Sequence, residues 1–150
     1  MPRFSPEAER VLRPAGWFPG RQVETGPWRR SLRNFPWHAA ADEFLREFGG
    51  LRVDISGPGI TCAREPFEVD PELAVGEEGR FEELSELFGC QFSPVGETGR
   101  GEFFLAIDQE GILYLLAAWA LRLGPGDPAV EHLVSGVVPE WLDPPERDTR

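Results

Sequence analysis

The paired glycines Gly49 and Gly50 mark a point where an amphipathic helix turns directly into a strand. Apolar residues recur at helical spacing before the pair, and Leu51, Val53 and Ile55 alternate after it at the period of a strand. A glycine at this position can take the left-handed conformation that ends a helix without a Cβ clash. The chain therefore contains both kinds of element, and the junction itself has a structural purpose.

The remaining sequence patterns predict an α+β fold rather than a regular alternation of strand and helix. Helices are predicted at about 5–14, 27–34, 37–48, 77–88 and 127–136, where capping residues or glycine and proline stops bound the segments. Strands are predicted at about 51–56, 60–69, 90–95, 102–107 and 111–119. We therefore expect a largely antiparallel mixed sheet of about five or six strands, with N-terminal helices, a crossover helix and a C-terminal helix packed around it.

The chain has 150 residues, the length of one ordinary domain, which is enough to bury about 70% of the surface that its unfolded form exposes. We expect a single domain with its core at about residues 15–136. Residues 137–150 are rich in proline and look like a loosely held tail, although Trp141 and Leu142 could dock back on the domain. Periodicity places these residues mostly in the core: Phe44, Leu45, Phe48, Leu51, Val53, Phe104, Ala106, Ile107, Leu113 and Leu115.

The charge of the chain is strongly acidic and unevenly distributed. The net charge is −11 and the pI is about 4.6, which argues against nucleic acid as a direct partner because phosphate binding needs clustered cations. Nine carboxylates between Glu65 and Glu86 are opposed by Arg80 alone. Such a run is most often a solvated face, but it can also be an electrostatic docking surface. A basic protein is the partner that fits this charge.

The N-terminal residues contain no apolar segment of the kind that a secretory signal needs, so we expect a cytoplasmic protein without a membrane partner. In the cytoplasm Cys62 and Cys90 should be reduced, and their commonest role is as small buried side chains. His38 and His132 lie far apart and outside any cluster with ligand spacing, so we predict no metal site. We also predict no cofactor, because the glycine-rich segment 96–101 fits neither dinucleotide nor phosphate-loop spacing and is better explained as a hairpin loop.

Catalysis has little support in the sequence. No Gly-x-Ser-x-Gly motif occurs, and Ser135-Gly136 is better explained as the end of a helix. Asp108 could be catalytic, but it begins a turn, where aspartate ordinarily binds local backbone amides. We therefore predict that the protein is not an enzyme.

Four motifs occur in a recognisable order along the chain. They are the helix-to-strand junction above, Ala15-Gly16-Trp17-Phe18-Pro19-Gly20-Arg21, Pro94-Val95-Gly96-Glu97, and the segment from Leu105 to Tyr114. Together they resemble the SUKH superfamily of bacterial toxin-immunity proteins, most closely its third subgroup. The resemblance runs from about Ala15 to Gly136, and it implies a sheet with helices packed around it.

The resemblance also implies a function: an immunity protein that binds a cognate polymorphic toxin domain and blocks its active site. The toxin domain is expected to be basic, for example a nuclease or a deaminase. The expected contact residues come from the acidic run and from one aromatic anchor: Glu65, Glu68, Asp70, Glu77, Glu78, Glu82, Glu83 and Trp17. The alternative is a cytosolic regulatory or scaffolding module that binds other proteins, and an enzyme of unknown type is a third hypothesis.

Overall fold

Five α-helices and a seven-stranded sheet make up residues 3–144, the part of the chain that the computed structural model describes. The helices are α1 (Pro6–Ala15), α2 (Gly26–Ser31), α3 (Ala39–Phe48), α4 (Glu78–Phe88) and α5 (Gly126–Ser135), and a short 3-10 helix spans Pro71–Ala74. The strands are β1 (Arg52–Val53), β2 (Phe67–Glu68), β3 (Ser93–Thr98), β4 (Phe103–Ile107), β5 (Ile112–Leu116), β6 (Ala120–Pro125) and β7 (Glu140–Trp141). The predicted α+β fold is confirmed.

The order of the strands in the sheet follows their order in the chain, and every neighbouring pair is antiparallel. The sheet is therefore not mixed, and within residues 3–144 it has seven strands rather than five or six. The difference arises because β6 and β7 lie outside every predicted strand: the strand predicted at 111–119 ends at Leu116, and the chain then turns back into β6. Helix α4 joins β2 to β3, which are neighbours, so it does not cross over another strand.

Helices cover both faces of the sheet. On the first face, α1, α3 and α5 pack against side chains that include Leu105 and Leu115. On the second face, α4 and the segment after α2 pack against Ala106, Tyr114 and Leu116. The predicted core is confirmed except at Phe104, which is half-buried and packs against the second face.

The first two strands are much shorter than the sequence predicted. Only β1 and β2 form within the predicted segments 51–56 and 60–69. The chain between them makes one bridge, Pro58 to Ala63, and lies against the end of α5, where the Ile60 N–H donates to the Ser135 carbonyl at 3.0 Å. Gly50 has the left-handed conformation at the helix-to-strand junction, and its N–H donates to the Val69 carbonyl at 2.7 Å.

The chain after α5 returns to the sheet. Strand β7 pairs with β6 through Leu121 and Trp141. The indole N–H of Trp119 donates to the Leu142 carbonyl at 2.7 Å, and the rings of Trp119 and Trp141 are stacked with centroids 6.1 Å apart. Trp141 and Leu142 thus contact the domain, while residues 145–150 of the predicted tail lie outside the described residues. The single-domain boundaries stay a prediction.

Candidate partner-binding surface

The structure divides the predicted acidic run among three places. Glu65 is exposed in the segment before β2, and Glu68 lies on β2 itself. Asp70 begins the 3-10 helix, and the other four predicted contact residues lie at the start of α4 and along it. The seven carboxylates therefore do not form one compact cluster. They follow the chain from the edge of the sheet onto α4.

We call one part of this run the acidic surface: Asp70, Glu72, Glu77, Glu78, Glu82 and Glu83. Local hydrogen bonds hold its backbone, since Asp70 accepts from the Glu72 N–H at 3.0 Å and Glu78 accepts from the Gly76 N–H at 2.6 Å. Val75 lies within this segment and is 57% exposed, and Leu73 is also exposed. Exposed apolar side chains therefore lie between carboxylates along this segment, and protein interfaces commonly combine polar and apolar groups.

Most of the acidic surface is free of neutralising cations. Glu77 pairs with Arg80 at 3.2 Å, and Arg80 also donates to the Ala117 carbonyl at 2.8 Å. Within residues 3–144 no ion pair involves Glu72, Glu82 or Glu83, and all three are exposed. These three carboxylates are available to a cationic partner.

Glu97 lies next to Glu68 of the acidic run, although the sequence did not identify it as a contact residue. We call Glu68, Asp70 and Glu97 the acidic region. The register of β2 and β3 places Glu68 directly opposite Glu97. Burial, together with the charges of Glu68 and Asp70, raises the pKa of Glu97. Glu68 is paired with Arg52 at 3.2 Å. Only the strand register brings these carboxylates together, so no local sequence signal could have identified Glu97.

The raised pKa of Glu97 predicts a pH-dependent effect of Glu97→Gln. The pKa of Glu97 is higher in the folded protein than in the unfolded chain, so the fold favours the protonated side chain. The contribution of Glu97 to folding stability is therefore complete below the unfolded-state pKa and is lost as the pH rises through the folded-state pKa. Glu97→Gln should therefore raise the Tm at pH 7 by about 1 to 3 °C and leave it unchanged near pH 3. The same substitution at the exposed Glu43 is the control. A Tm of Glu97→Gln that is still above that of the wild type at pH 3 would contradict this prediction.

Trp17 does not belong to an exposed surface, so its predicted role as an anchor needs correction. The side chain is only 3% exposed, and its ring packs edge-on against Phe4 with centroids 5.1 Å apart. The indole N–H donates to the Glu47 carboxylate at 2.8 Å. The residue is therefore part of the core in the described structure. Tryptophan serves both interfaces and cores, and only the tertiary structure separates the two roles.

The residues considered for chemistry have structural partners. Asp108 accepts from the Glu110 and Ile112 N–H groups and from the Tyr114 hydroxyl, at 2.9, 3.0 and 2.7 Å. Burial and this hydrogen bond raise the pKa of Tyr114. His38 caps α3 by accepting from the Ala41 N–H at 3.2 Å, so it begins the helix rather than lying on its face.

His132 lies half-buried on α5, where its Nδ1 donates to the Leu123 carbonyl at 3.2 Å. In the described range 3–144, no group of three or more His, Cys, Asp or Glu side chains is placed to hold a metal ion. Both cysteines have free thiols. None of the helices described between residues 3 and 144 is long and apolar enough to span a membrane.

Comparison with known proteins gives a family but no individual relative. No curated protein matches the chain, and no solved structure does either. The family model of the SUKH-3 immunity proteins matches residues 4–136, which cover all five described α-helices and six of the seven described strands. The chain therefore belongs to the SUKH-3 immunity protein family.

Proposed function

We propose that this protein is a cytoplasmic immunity protein that binds a cognate basic toxin domain and blocks the toxin's active site. Membership of the SUKH-3 family supports an immunity function. The observation that carries the mechanism is the acidic surface, where Glu72, Glu82 and Glu83 are exposed and no cation within the described residues pairs with them. The protein needs no catalytic chemistry for this function, because tight association alone can inactivate an enzyme.

The acidic surface suits a toxin that acts on nucleic acid, such as a nuclease or a deaminase. Such an enzyme holds its polyanionic substrate with clustered Lys and Arg side chains. An acidic surface is complementary to the same cations, so it competes with the substrate for the active site. Complementary charge also speeds the encounter, which matters when a lethal enzyme must be captured before it acts. The exposed Val75 and Leu73 supply the apolar contact that charge alone does not give.

Reversal of charge on the acidic surface tests this proposal. We expect the triple variant Glu72→Arg, Glu82→Arg and Glu83→Arg to slow association with the toxin domain, which is to be identified among the genes beside this one, by about tenfold or more at low salt. The effect should shrink at high salt because mobile ions screen the field. Dissociation should change less, since exposed charges act mainly on the association rate. The measurement is the association and dissociation rates of the wild type and of the triple variant with a catalytically inactivated toxin domain, at two ionic strengths.

The matched control replaces three exposed carboxylates outside the acidic surface by arginine, so its net charge changes by the same amount as that of the test variant. The three residues are Glu24, Glu43 and Glu110. We expect this control to slow association much less than the acidic-surface variant. Equal slowing by both variants would mean that net charge alone steers the partner and that the acidic surface is a solvated face. Failure of the wild-type protein to bind or inhibit the neighbouring toxin domain would contradict the immunity function itself.

A further inference from the structure

We infer that an apolar groove beside α5 receives an apolar side chain of the bound toxin domain and that a Lys or Arg of the toxin flanks this side chain. The inference rests on the proposed function and adds a second contact to it. The groove lies on the first face of the sheet, near the C-terminal end of α5, and its volume is about 500 Å³. It is distinct from the acidic surface, which lies on the 3-10 helix and α4.

Apolar side chains from separate elements form the groove. Leu115 on β5 and Leu123 on β6 are buried and form its floor. Leu133 and Val137, at the end of α5 and just after it, are half-buried along its side. Val138 lies at the rim and is 59% exposed. The space is therefore open to solvent and lined mostly by carbon, the environment in which an interface anchor gains most from burial.

Trp141 at the rim is exposed but held in place. Its side chain is 64% exposed and lines the groove, while its backbone belongs to β7. Its ring stacks on Trp119, and Trp119 is itself fixed by the hydrogen bond to the Leu142 carbonyl. A large aromatic side chain fixed before binding loses little conformational entropy on association. Tryptophan in such a position is typical of residues that dominate binding energy.

The charge of the groove indicates the chemistry of its occupant. Glu65 and Glu102 line the groove and are exposed, whereas the basic residue that lines it is the half-buried His132, and no Arg lines it within the described residues. An apolar side chain next to a cationic one therefore complements the groove better than an uncharged or acidic segment does.

The position of the groove allows one partner to reach both the groove and the carboxylates of Glu68 and Glu97. Thr98 lines the groove and directly follows Glu97, which lies in the acidic region across from Glu68. The groove and the carboxylates of Glu68 and Glu97 thus both lie beside β3, which forms a hairpin with β4. A toxin domain that covers the end of this hairpin contacts both, with the carboxylates promoting encounter and the groove slowing dissociation.

Two arginine substitutions at equally exposed apolar positions test the inference. Val138→Arg places a cation at the rim of the groove, and Phe18→Arg, at a side chain that is 52% exposed in the turn after α1, is the control. We expect Val138→Arg to raise the Kd for the neighbouring toxin domain about thirtyfold or more, mainly through faster dissociation. Phe18→Arg should change the Kd by less than about threefold, as substitutions outside an interface centre do.

Alkylation of the two cysteines gives a second readout that needs no variant. Cys62 lines the groove, whereas Cys90 lies just after α4 beside the second face, and both thiols are free and partly exposed. We expect the bound toxin domain to slow the alkylation of Cys62 by iodoacetamide about tenfold or more, because an interface excludes solvent from its centre. The alkylation rate of Cys90 should change by less than twofold. Mass spectrometry of the two cysteine peptides measures both rates in the same sample.

The possible results separate this inference from the proposed function. If the wild type binds the toxin domain tightly but neither Val138→Arg nor Cys62 alkylation responds, the groove inference fails and the immunity function stands. If the wild type does not bind, both fail. Faster Cys62 alkylation after deletion of residues 145–150, without protection by the toxin domain, would assign the groove to the chain's own C-terminal segment and overturn the inference.

Discussion

Replacing Phe48 by alanine should lower the free energy of unfolding by about 3 to 5 kcal/mol. Phe48 is buried at the end of α3, where its ring lies 4.9 Å from that of Phe44 and 6.2 Å from that of Phe4, measured between centroids. Truncation removes the transfer free energy of the ring and leaves a cavity that α1, α3 and the sheet cannot fill without moving. Equilibrium urea unfolding of both proteins measures the difference.

The control for Phe48→Ala is the same truncation at an exposed phenylalanine. Phe18→Ala should change the free energy of unfolding by no more than about 0.5 kcal/mol, the range usual for surface substitutions. A loss below about 1 kcal/mol for Phe48→Ala would mean that the ring is exposed in solution and would contradict the packing of α3 on the sheet. Unequal m-values would indicate a change in the unfolded state rather than a lost contact.

The helices that the sequence located best are those with strong local stop signals. Helix α4 ends before Gly89 and α5 before Gly136, and both glycines have the left-handed conformation that such an end requires. The last helix begins beside Asp127-Pro128, as the sequence indicated. These signals act within a few residues of the chain, so no knowledge of the tertiary structure is needed to interpret them.

Strands β6 and β7 could not be predicted because no turn signal separates β5 from β6 and because β7 is very short. The turn between β5 and β6 uses Ala117, Ala118 and Trp119, with no glycine or proline to interrupt the apolar run. Both faces of β5 are covered, so Ile112–Leu116 lacks the polar and apolar alternation of a half-exposed strand. Strand β7 has only two residues, and it forms because β6 offers a free edge to pair with.

The candidate site could be predicted only in part. Charge is a property of the sequence, so the carboxylates of the acidic surface other than Glu72 could be selected as contact residues before the structure was known. Burial of Trp17 and the pairing of Glu68 with Glu97 depend on contacts between distant elements. The groove depends on such contacts entirely, since Cys62, Leu115 and Val138 come from three separate parts of the chain.

The motifs that carry the family resemblance hold the scaffold together. Arg21 donates to the Glu47 and Gly49 carbonyls at 2.6 and 2.7 Å, at the C-terminal end of α3. The Trp17 indole binds the Glu47 side chain nearby. The Asp108 carboxylate likewise accepts from the Tyr114 hydroxyl and from the Glu110 N–H in the β4–β5 turn. Because these side chains are committed to the fold, we place the proposed contacts with the toxin outside the motifs, with the exception of Glu97.

Replacing Gly96 by alanine should destabilise the protein by about 3 kcal/mol, the upper part of the range for overpacked sites. Gly96 lies at the register shift of β3, where its backbone closely approaches β2. A Cβ atom there would clash with the Glu68 carbonyl oxygen and lie 3.0 Å from the Val69 Cα. Both are backbone groups, so relief requires the strands to separate, and the separation would also displace Glu68 and Glu97 in the acidic region.

Gly79→Ala is the matched control for Gly96→Ala, because it adds the same methyl group where nothing lies within 4 Å. Gly79 is the second residue of α4, among the residues of the acidic surface, and alanine there should stabilise the protein by about 0.4 to 1 kcal/mol because it restricts the unfolded chain. Thermal and urea unfolding of the two variants should therefore shift in opposite directions. If Gly96→Ala unfolds like the wild type, β2 and β3 do not approach as closely as the structure shows, and the placement of Glu97 beside Glu68 and Asp70 would have to be abandoned. If Gly96→Ala is destabilised while Gly79→Ala is not, the loss comes from the clash with the β2 backbone and not from the added methyl group itself.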